Sequence, residues 1–529
     1  MSKDLFAREA LTQIPKILTL LDRNPHSPTY GCFDRNFWHY KIKDFANGRM
    51  QELVLPLALV YDLPISDNPY YQQPTIKNWV EAGILYTTNT VHPDSFCDET
   101  LPLEHSASAT AFSLFAGLES YHLLELMNYE ILQGFERQAN GLAHCKFSQS
   151  ASHEALIILC LERLGQMLQT SKWHRIKASR LEWLLSLQSQ EGWFKENETF
   201  DPGYHTLTIS FLAQLDDLRS DLRLKESLMK AVELVSYFIH PDGSYGGEYG
   251  SLNTYQFFPY GFELVGEWLP DALRINDRFL LGLKNGLSAC YGDDYSLGNQ
   301  VWNYLLAWRD FVPGRPQPLA RDVASIWLKE AEILIKRRPY VELYVALNKG
   351  GVFKLFRENK LILSDTHFSL QVRQGRQIKN AVAHLMSSYT IHVEQDEVLI
   401  EGGLSWVKPN QLSSLKLVLI RVLMLILGRF FSKQIQGLNR SEIVQGKQDA
   451  PFRFTRRFRW ERNQWHIIDE LYADSWRGII SAGIACDQTS IDIPLSRTFQ
   501  RGQLQPWLDL TDEIRKLTPG QSLKLERRF

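Results

Sequence analysis

Residues 199–215, TFDPGYHTLTISFLAQL, and 240–263, HPDGSYGGEYGSLNTYQFFPYGFE, decide how the chain is read. In each, a turn rich in Pro, Gly and Asp, with aromatics close by, hands over to a helix-forming run. Asp201-Pro202-Gly203 is a turn signature, since Pro presets one turn dihedral and Gly tolerates the other; it delivers Tyr204 and His205 to the start of a helix. Between Pro241 and Asn253 stand four glycines, with Tyr245, Glu248, Tyr249 and Asn253 among them. Glycine costs chain entropy, so such density marks tight turns or a close approach of backbone to something else. Two loops of this kind on successive helical hairpins can line one cleft.

Working back from these loops, LFAREALTQIPKILTLLD, RMQELVLPLALVYDL, SATAFSLFAGLESYHLLEL and HEALIILCLERLGQML show apolar residues at three- and four-residue steps, as does KESLMKAVELVSYFI further on. Helix, loop, helix over this length fits hairpins curled into a solenoid or toroid. Residues 186–196, SLQSQEGWFKE, and 240–248, HPDGSYGGE, echo each other as a helix end running into an acidic-Gly-aromatic turn. Beyond Arg337 the texture changes to alternating β-branched and aromatic residues, as in VELYVALNKGGVFKLFREN and FRFTRRFRWERNQWHIIDELY. Phe452, Phe454, Phe458 and Trp460 share one parity; Arg453, Arg457 and Arg459 share the other, which reads as a half-buried strand with a cationic outer face. That face is a solvated surface, or more sharply a platform for an anionic polymer. The expected architecture is an α/α toroid over 1–335 followed by an antiparallel β-sandwich over 336–529. DVASIWLKEAEILIKRR (322–338) is read as the last helix, and a helical insertion is expected near 412–434.

Composition bounds the rest. With 529 residues the chain has ample core for more than one domain, and a net charge of -2 gives no global field to recruit nucleic acid. Cys32, Cys97, Cys145, Cys160, Cys290 and Cys486 are scattered, with no zinc-ligand spacing, so they read as thiols in a reducing compartment, and neither metal nor cofactor is expected. The first residues read as an amphipathic helix rather than a secretion signal, so a cytoplasmic location is expected. In LKLVLIRVLMLILGRFF (415–431), Lys416, Arg421 and Arg429 leave too short an apolar run to span a bilayer. A buried helix is favoured there, with peripheral membrane contact as the alternative.

SQSASHEALIILCL (148–161), followed 51 positions after His153 by Tyr204 in FDPGYHTLT, resembles the heparinase II/III and alginate lyase group. Those enzymes join an α/α toroid to a β-sandwich, and a His opening one helix is followed by an active-site Tyr in the next hairpin. GCFDRNFWHYKIKDF (31–45) also looks like a loop of that group. The resemblance implies β-elimination on a uronate-containing polysaccharide, or C5 epimerisation, which shares the first proton abstraction. His153 then neutralises the carboxylate, helped by backbone N–H groups at the helix start. Tyr204 becomes the base, the acid or both; a phenol near pKa 10 needs neighbouring cations to serve at neutral pH. His205, Arg35 and His39 are the candidate helpers. Glu248, Tyr249 and Asn253 are candidate sugar contacts, His105 a pocket candidate, and Trp38 or Trp193 a stacking surface. Ser152 stands where the group often has Asn, and the sheet lacks its Gly-His-x-His segment, offering only His367 and His384.

Blander roles compete for each residue: helix capping for His153, turn packing for Tyr204, backbone satisfaction for Glu248 and Asn253. Two other functions therefore stay open, a non-catalytic polysaccharide-binding or assembly protein and a toroid glycoside hydrolase. The hydrolase needs a carboxylate pair, for which Asp201 and Glu248 are available.

Overall fold

The computed structural model describes residues 2–196, 199–291, 296–318, 321–407, 415, 418–419, 421–423, 448–484 and 498–529. All but one of the described α-helices, the short Thr511–Arg515, come first. They are Asp4–Leu11 (α1), Ile14–Leu20 (α2), Arg35–Trp38 (α3), Val54–Asp62 (α4), Pro74–Asn89 (α5), Ala107–Leu123 (α6) and Tyr129–His144 (α7). Then follow Ala151–Met167 (α8), His174–Ser186 (α9), Pro202–Leu218 (α10), Leu222–Phe238 (α11), Tyr260–Gly266 (α12), Pro270–Lys284 (α13) and Leu297–Arg309 (α14). They alternate between an inner ring, apolar nearly all round, and amphipathic outer helices such as α7, α11 and α13. In α10 every residue from Pro202 to Asp216 is buried except Tyr204. Several helix starts are fixed by a side chain that accepts orphan backbone N–H groups: Ser106 for α6, Asn128 for α7, Asp201 for α10 and Asp221 for α11.

Short strand Cys290–Tyr291 (β1) precedes the sheets. Ala324–Leu328 (β2), Ile333–Arg338 (β3), Val341–Ala346 (β4), Val352–Arg357 (β5) and Lys360–Asp365 (β6) form one antiparallel meander in chain order. The strands that follow are Phe368–Gln374 (β7), Gln377–Val382 (β8), Thr390–Val393 (β9), Glu397–Val407 (β10), Gln448–Glu461 (β11), Gln464–Ala473 (β12), Ile479–Ile484 (β13), Thr498–Phe499 (β14), Leu508–Asp509 (β15) and Leu523–Arg528 (β16). They run β15-β13-β7-β8-β10-β11-β12-β16, with β9 also on β10, while β14 pairs with β1. The α/α toroid followed by an antiparallel sandwich is the architecture expected above.

The meander is a middle layer. Ile333, Ile335, Tyr344, Ala346, Val352 and Phe356 pack into the toroid core. Leu334, Leu343, Val345, Phe353 and Leu355 point the other way, onto Phe454, Phe458, Trp465 and Ile467 of the outer sheet. Every residue of β4 is buried as a result. Each such Leu, Ile or Phe stabilises the fold by about 1.5–3 kcal/mol relative to exposure.

Two expectations change here. Residues 322–338 form β2 and β3 instead of a helix, joined by a turn in which Glu332 has φ +52. On β11 the inward parity includes Arg456, which is fully buried; it pairs with Asp365 at 2.9 Å and Asp469 at 2.5 Å, and Arg527 closes the cluster. The outward arginines Arg457 and Arg459 are ion-paired with Glu397, as a solvated face requires. The predicted insertion at 412–434 and the membrane contact through 415–431 lie for the most part outside the described residues. Among those described, no helix is long and apolar enough to cross a membrane.

Candidate active site at the amino-terminal mouth of the toroid

The inner helices α6, α8, α10 and α14 run the same way, so their first turns gather at one mouth of the ring and their last turns at the other. Aligned helix starts concentrate partial positive charge at the first mouth, where Ser106, Glu196, Asp201 and Glu52 already accept several of their N–H groups. There His153, half-buried in the first turn of α8, meets Ser108 of α6 through Nε2 at 3.1 Å and packs edge-on against Phe112. Tyr204 stands, also half-buried, in the first turn of α10. Glu196 ties the two helix starts together. It accepts from Ser150 Oγ at 2.5 Å, from the Ser152 N–H at 2.9 Å and from Thr208 Oγ1 at 3.4 Å, and the Thr208 hydroxyl also reaches the Tyr204 carbonyl. The two segments singled out in the sequence thus open at one mouth.

A cation sits beside them. The Arg49 guanidinium lies over the Phe112 ring, 3.0 Å from its centroid, and pairs with Glu52 at 3.4 Å. Asn299 completes the group: its amide donates to Glu52 Oε2 at 2.9 Å and accepts from Arg49 Nη2 at 2.6 Å. Burial pushes the Glu52 carboxyl up to about 7 against the pull of Arg49, and the Glu196 carboxyl up to about 7 against its serine hydrogen bonds. Arg49, Glu52, Ser108, Glu196 and Asn299 escaped the sequence reading. The i,i+3 Arg-Glu pair inside an apolar helix pattern was the available signal for the first two.

The remaining candidates divide. Asp201 binds the two loops to each other: it accepts from the N–H groups of Gly203, Tyr204 and Leu252 and from the Thr254 hydroxyl. Tyr245 adds a hydrogen bond to the Pro202 carbonyl at 3.1 Å. Asn253, at φ +62, turns the second loop and is buried. Segment 34–47 is fastened to the rim of the mouth, because Asn47 bonds the Glu99 carbonyl and the Glu99 carboxylate accepts from Ser106. On it, Arg35 stacks over Tyr40, Trp38 is half-buried and donates to the Leu20 carbonyl at 2.7 Å, and His39 is exposed. His105, just before α6, pairs with Asp94 and stacks on His92 at 4.3 Å.

Four candidates are corrected by their surroundings. His205 faces the core: it is fully buried against Phe194 and Phe200 and donates from Nε2 to the Ala231 carbonyl at 3.1 Å. Burial lowers its pKa to about 4, so it is a neutral packing residue. Glu248 is buried at the seam with the sheet, ion-paired with Lys354 at 3.0 Å, while Lys349 donates to the Glu248 carbonyl at 3.0 Å. Tyr249 lies in the same seam. Ser244 gives its proton to Asp242, so it accepts from His240 Nδ1, which leaves His240 Nε2 to accept the Tyr249 hydroxyl at 2.9 Å. Trp193 is buried against Phe200. With Asp201 and Glu248 both sealed in, the carboxylate pair of the hydrolase alternative is spent on structure.

A cavity of about 640 Å³ opens at the opposite mouth, where the same helices end. Its lining carries Glu119, Asp217, Glu263, Glu267 and Asp310 against Arg163 and Arg309, and helix ends add negative charge. That excess of carboxylates disfavours a polyanion, so this opening is the poorer candidate for acidic substrates. Among the described residues, no group of three or more His, Cys, Asp or Glu side chains is placed to hold a metal ion.

The chain matches no protein-family model and no curated protein. It superposes on the chondroitin AC lyase of Streptomyces coelicolor A3 in complex with chondroitin sulphate at a TM-score of 0.56 and 9% identity, covering 92% of this chain and 68% of that one. A Paenibacillus xanthan lyase follows at 0.52 and 8% identity, covering 90% of this chain, which spans only 46% of that larger one. The fold is therefore that of these polysaccharide lyases. A heparinase III also aligns, but its TM-score of 0.41 is too loose to support the heparinase II/III type in particular.

Proposed function

We propose that the chain is a polysaccharide lyase acting on an acidic, uronate-containing polymer at the amino-terminal mouth of the toroid, with Tyr204 and His153 as its chemical groups. The observation that carries the reading is the half-buried pair of first turns at 153 and 204, held together by Glu196 beneath a mouth that already favours anions. In this reading His153, at the positive ends of the helix starts, receives the uronate carboxylate, where charge develops as the proton beside it leaves. Tyr204 takes that C5 proton and returns one to the departing glycosidic oxygen; the C4–O bond breaks and a C4–C5 double bond forms. C5 epimerisation shares the first half of this sequence.

The test is an assay of acidic polysaccharides for the new absorbance of an unsaturated uronate near the ultraviolet edge. Tyr204→Phe is expected to abolish the rise and leave binding nearly intact; turnover that survives the substitution removes Tyr204 from the chemistry. One observation favours a second reading, a binding protein without catalysis. Ser152, where the resembling enzymes often have Asn, is fully buried, with its hydroxyl against Ser150 and its N–H on Glu196. That reading predicts polymer binding with no absorbance change and no effect of Tyr204→Phe.

A further inference from the structure

The β3–β4 hairpin turns through Pro339 and Tyr340, with Arg338 paired to Val341. Proline fixes φ at its own residue near −65°, which excludes the primed turns; of the turns left, type II puts its second residue in the left-handed region, and Tyr340 stands there with φ +65. Glycine or asparagine ordinarily stands there, and a bulky residue is an outlier that persists for a reason. Tyr340 is also 82% exposed, so core packing is not that reason. The neighbouring β5–β6 turn, Glu358-Asn359, has both residues at positive φ, and the Glu358 N–H donates to the Tyr340 carbonyl at 2.8 Å. Two stiff turns are thereby locked side by side.

Between them lies a cleft of about 310 Å³, with Phe356, Pro241 and Pro339 among its apolar lining and Tyr340, Glu358 and Asn359 contributed by the two turns. Arg321, also in its wall, is engaged by Glu342 and Tyr344; Arg338 is held by Asp396, and its Nε has no hydrogen-bond partner among the described residues. Lining cations and carboxylates balance, two of each, so the cleft has no preference for a polyanion. A flat aromatic face, a carboxylate and an amide on rigid turns match a pyranose ring, whose C–H face stacks on the phenol while its hydroxyls reach Glu358 and Asn359.

We infer that this cleft is an accessory saccharide-binding site, distinct from the amino-terminal mouth, that takes one neutral sugar residue of a glycan on Tyr340. It neither requires nor supplies catalysis at Tyr204. The experiment is glycan-array binding with neutral and acidic oligosaccharides, run on the full chain and on Tyr340→Gly, Asn359→Ala and Tyr204→Phe. Expected is retention of at least one neutral glycan that Tyr340→Gly and Asn359→Ala lose more than tenfold and Tyr204→Phe keeps. Tyr340→Gly should at the same time leave the melting temperature no lower, since relief of the strained turn offsets the added freedom of the unfolded chain, so lost binding cannot be blamed on misfolding. Neutral-glycan binding unchanged by Tyr340→Gly, or the absence of any neutral-glycan binding, overturns the site. Failure of Tyr204→Phe to affect turnover bears only on the mouth.

Discussion

At the scale of single residues, Tyr204 and His205 are neighbours with opposite fates. One helical step rotates the side chain about 100°, enough to carry His205 from the groove into the core. Both stand in the same predicted first turn, and the sequence holds no signal for which of the two faces inward until the packing partners of α10 are known. Arg456 is the contrary case. Its parity with Phe452, Phe454 and Phe458 was legible and pointed inward, but a charge on an apolar face is easily passed over. Glu52 and Glu196 give a prediction at this scale. Their folded values, near 7, exceed the ordinary carboxyl value of about 4.5, so the native state holds protons that the unfolded chain has lost. The stabilisation is complete below about 4.5 and disappears as pH rises to about 7, on the order of 3 kcal/mol per group. Denaturation of Glu196→Gln between pH 4.5 and 8 should show a flatter profile than the parent chain, and an unchanged slope would count against the buried carboxyl. His205 acts in the opposite sense: its lowered value adds stability above about 6.5 that is lost as pH falls toward 4.

At the scale of elements, the helices of the toroid were legible because amphipathic periodicity and capping residues agree. Residues 322–338 were not, since Leu-Lys-Glu-Ala-Glu favours helix locally and only the cover that β3 receives from both sides, with β2 paired along its edge, makes a strand pair of the segment. The role of the 240–254 loop was half legible. Its glycines announced a close approach, and the approach is real, but it is to Lys349 and Lys354 of the sheet instead of to a ligand. Gly247, at φ +118, shows why: a side chain there would collide with Lys354. Lys354→Met strips Glu248 of its ion-pair partner at a buried seam, and a loss of about 3–5 kcal/mol in chemical denaturation is expected. Adding Glu248→Gln should restore most of it. If the double variant is no better than the single one, the pair is not what holds the loop.

For the whole molecule, two features organise behaviour. On the proposed reading the positive helix starts of one mouth receive an acidic polymer, so its binding should weaken steeply with added salt, while Glu267→Gln at the acid-rich far mouth leaves turnover unchanged. A loss of turnover in that variant would move the site to the other opening. The second feature is the shared middle layer: because β3, β4 and β5 belong to both cores, calorimetry should record one cooperative transition, and two separated ones would mean that toroid and sandwich melt independently.

The middle layer also bears on how the protein is born. A ribosome releases the helical ring first, so the strands of 324–365 emerge next to a finished surface that can shield one side at once, while their other side stays bare until the strands after 365 have been made. During that interval the nascent chain carries a flat apolar sheet open to any passing strand or chaperone, and a pause in translation beyond residue 365 should cost yield of soluble protein more than one placed within the ring.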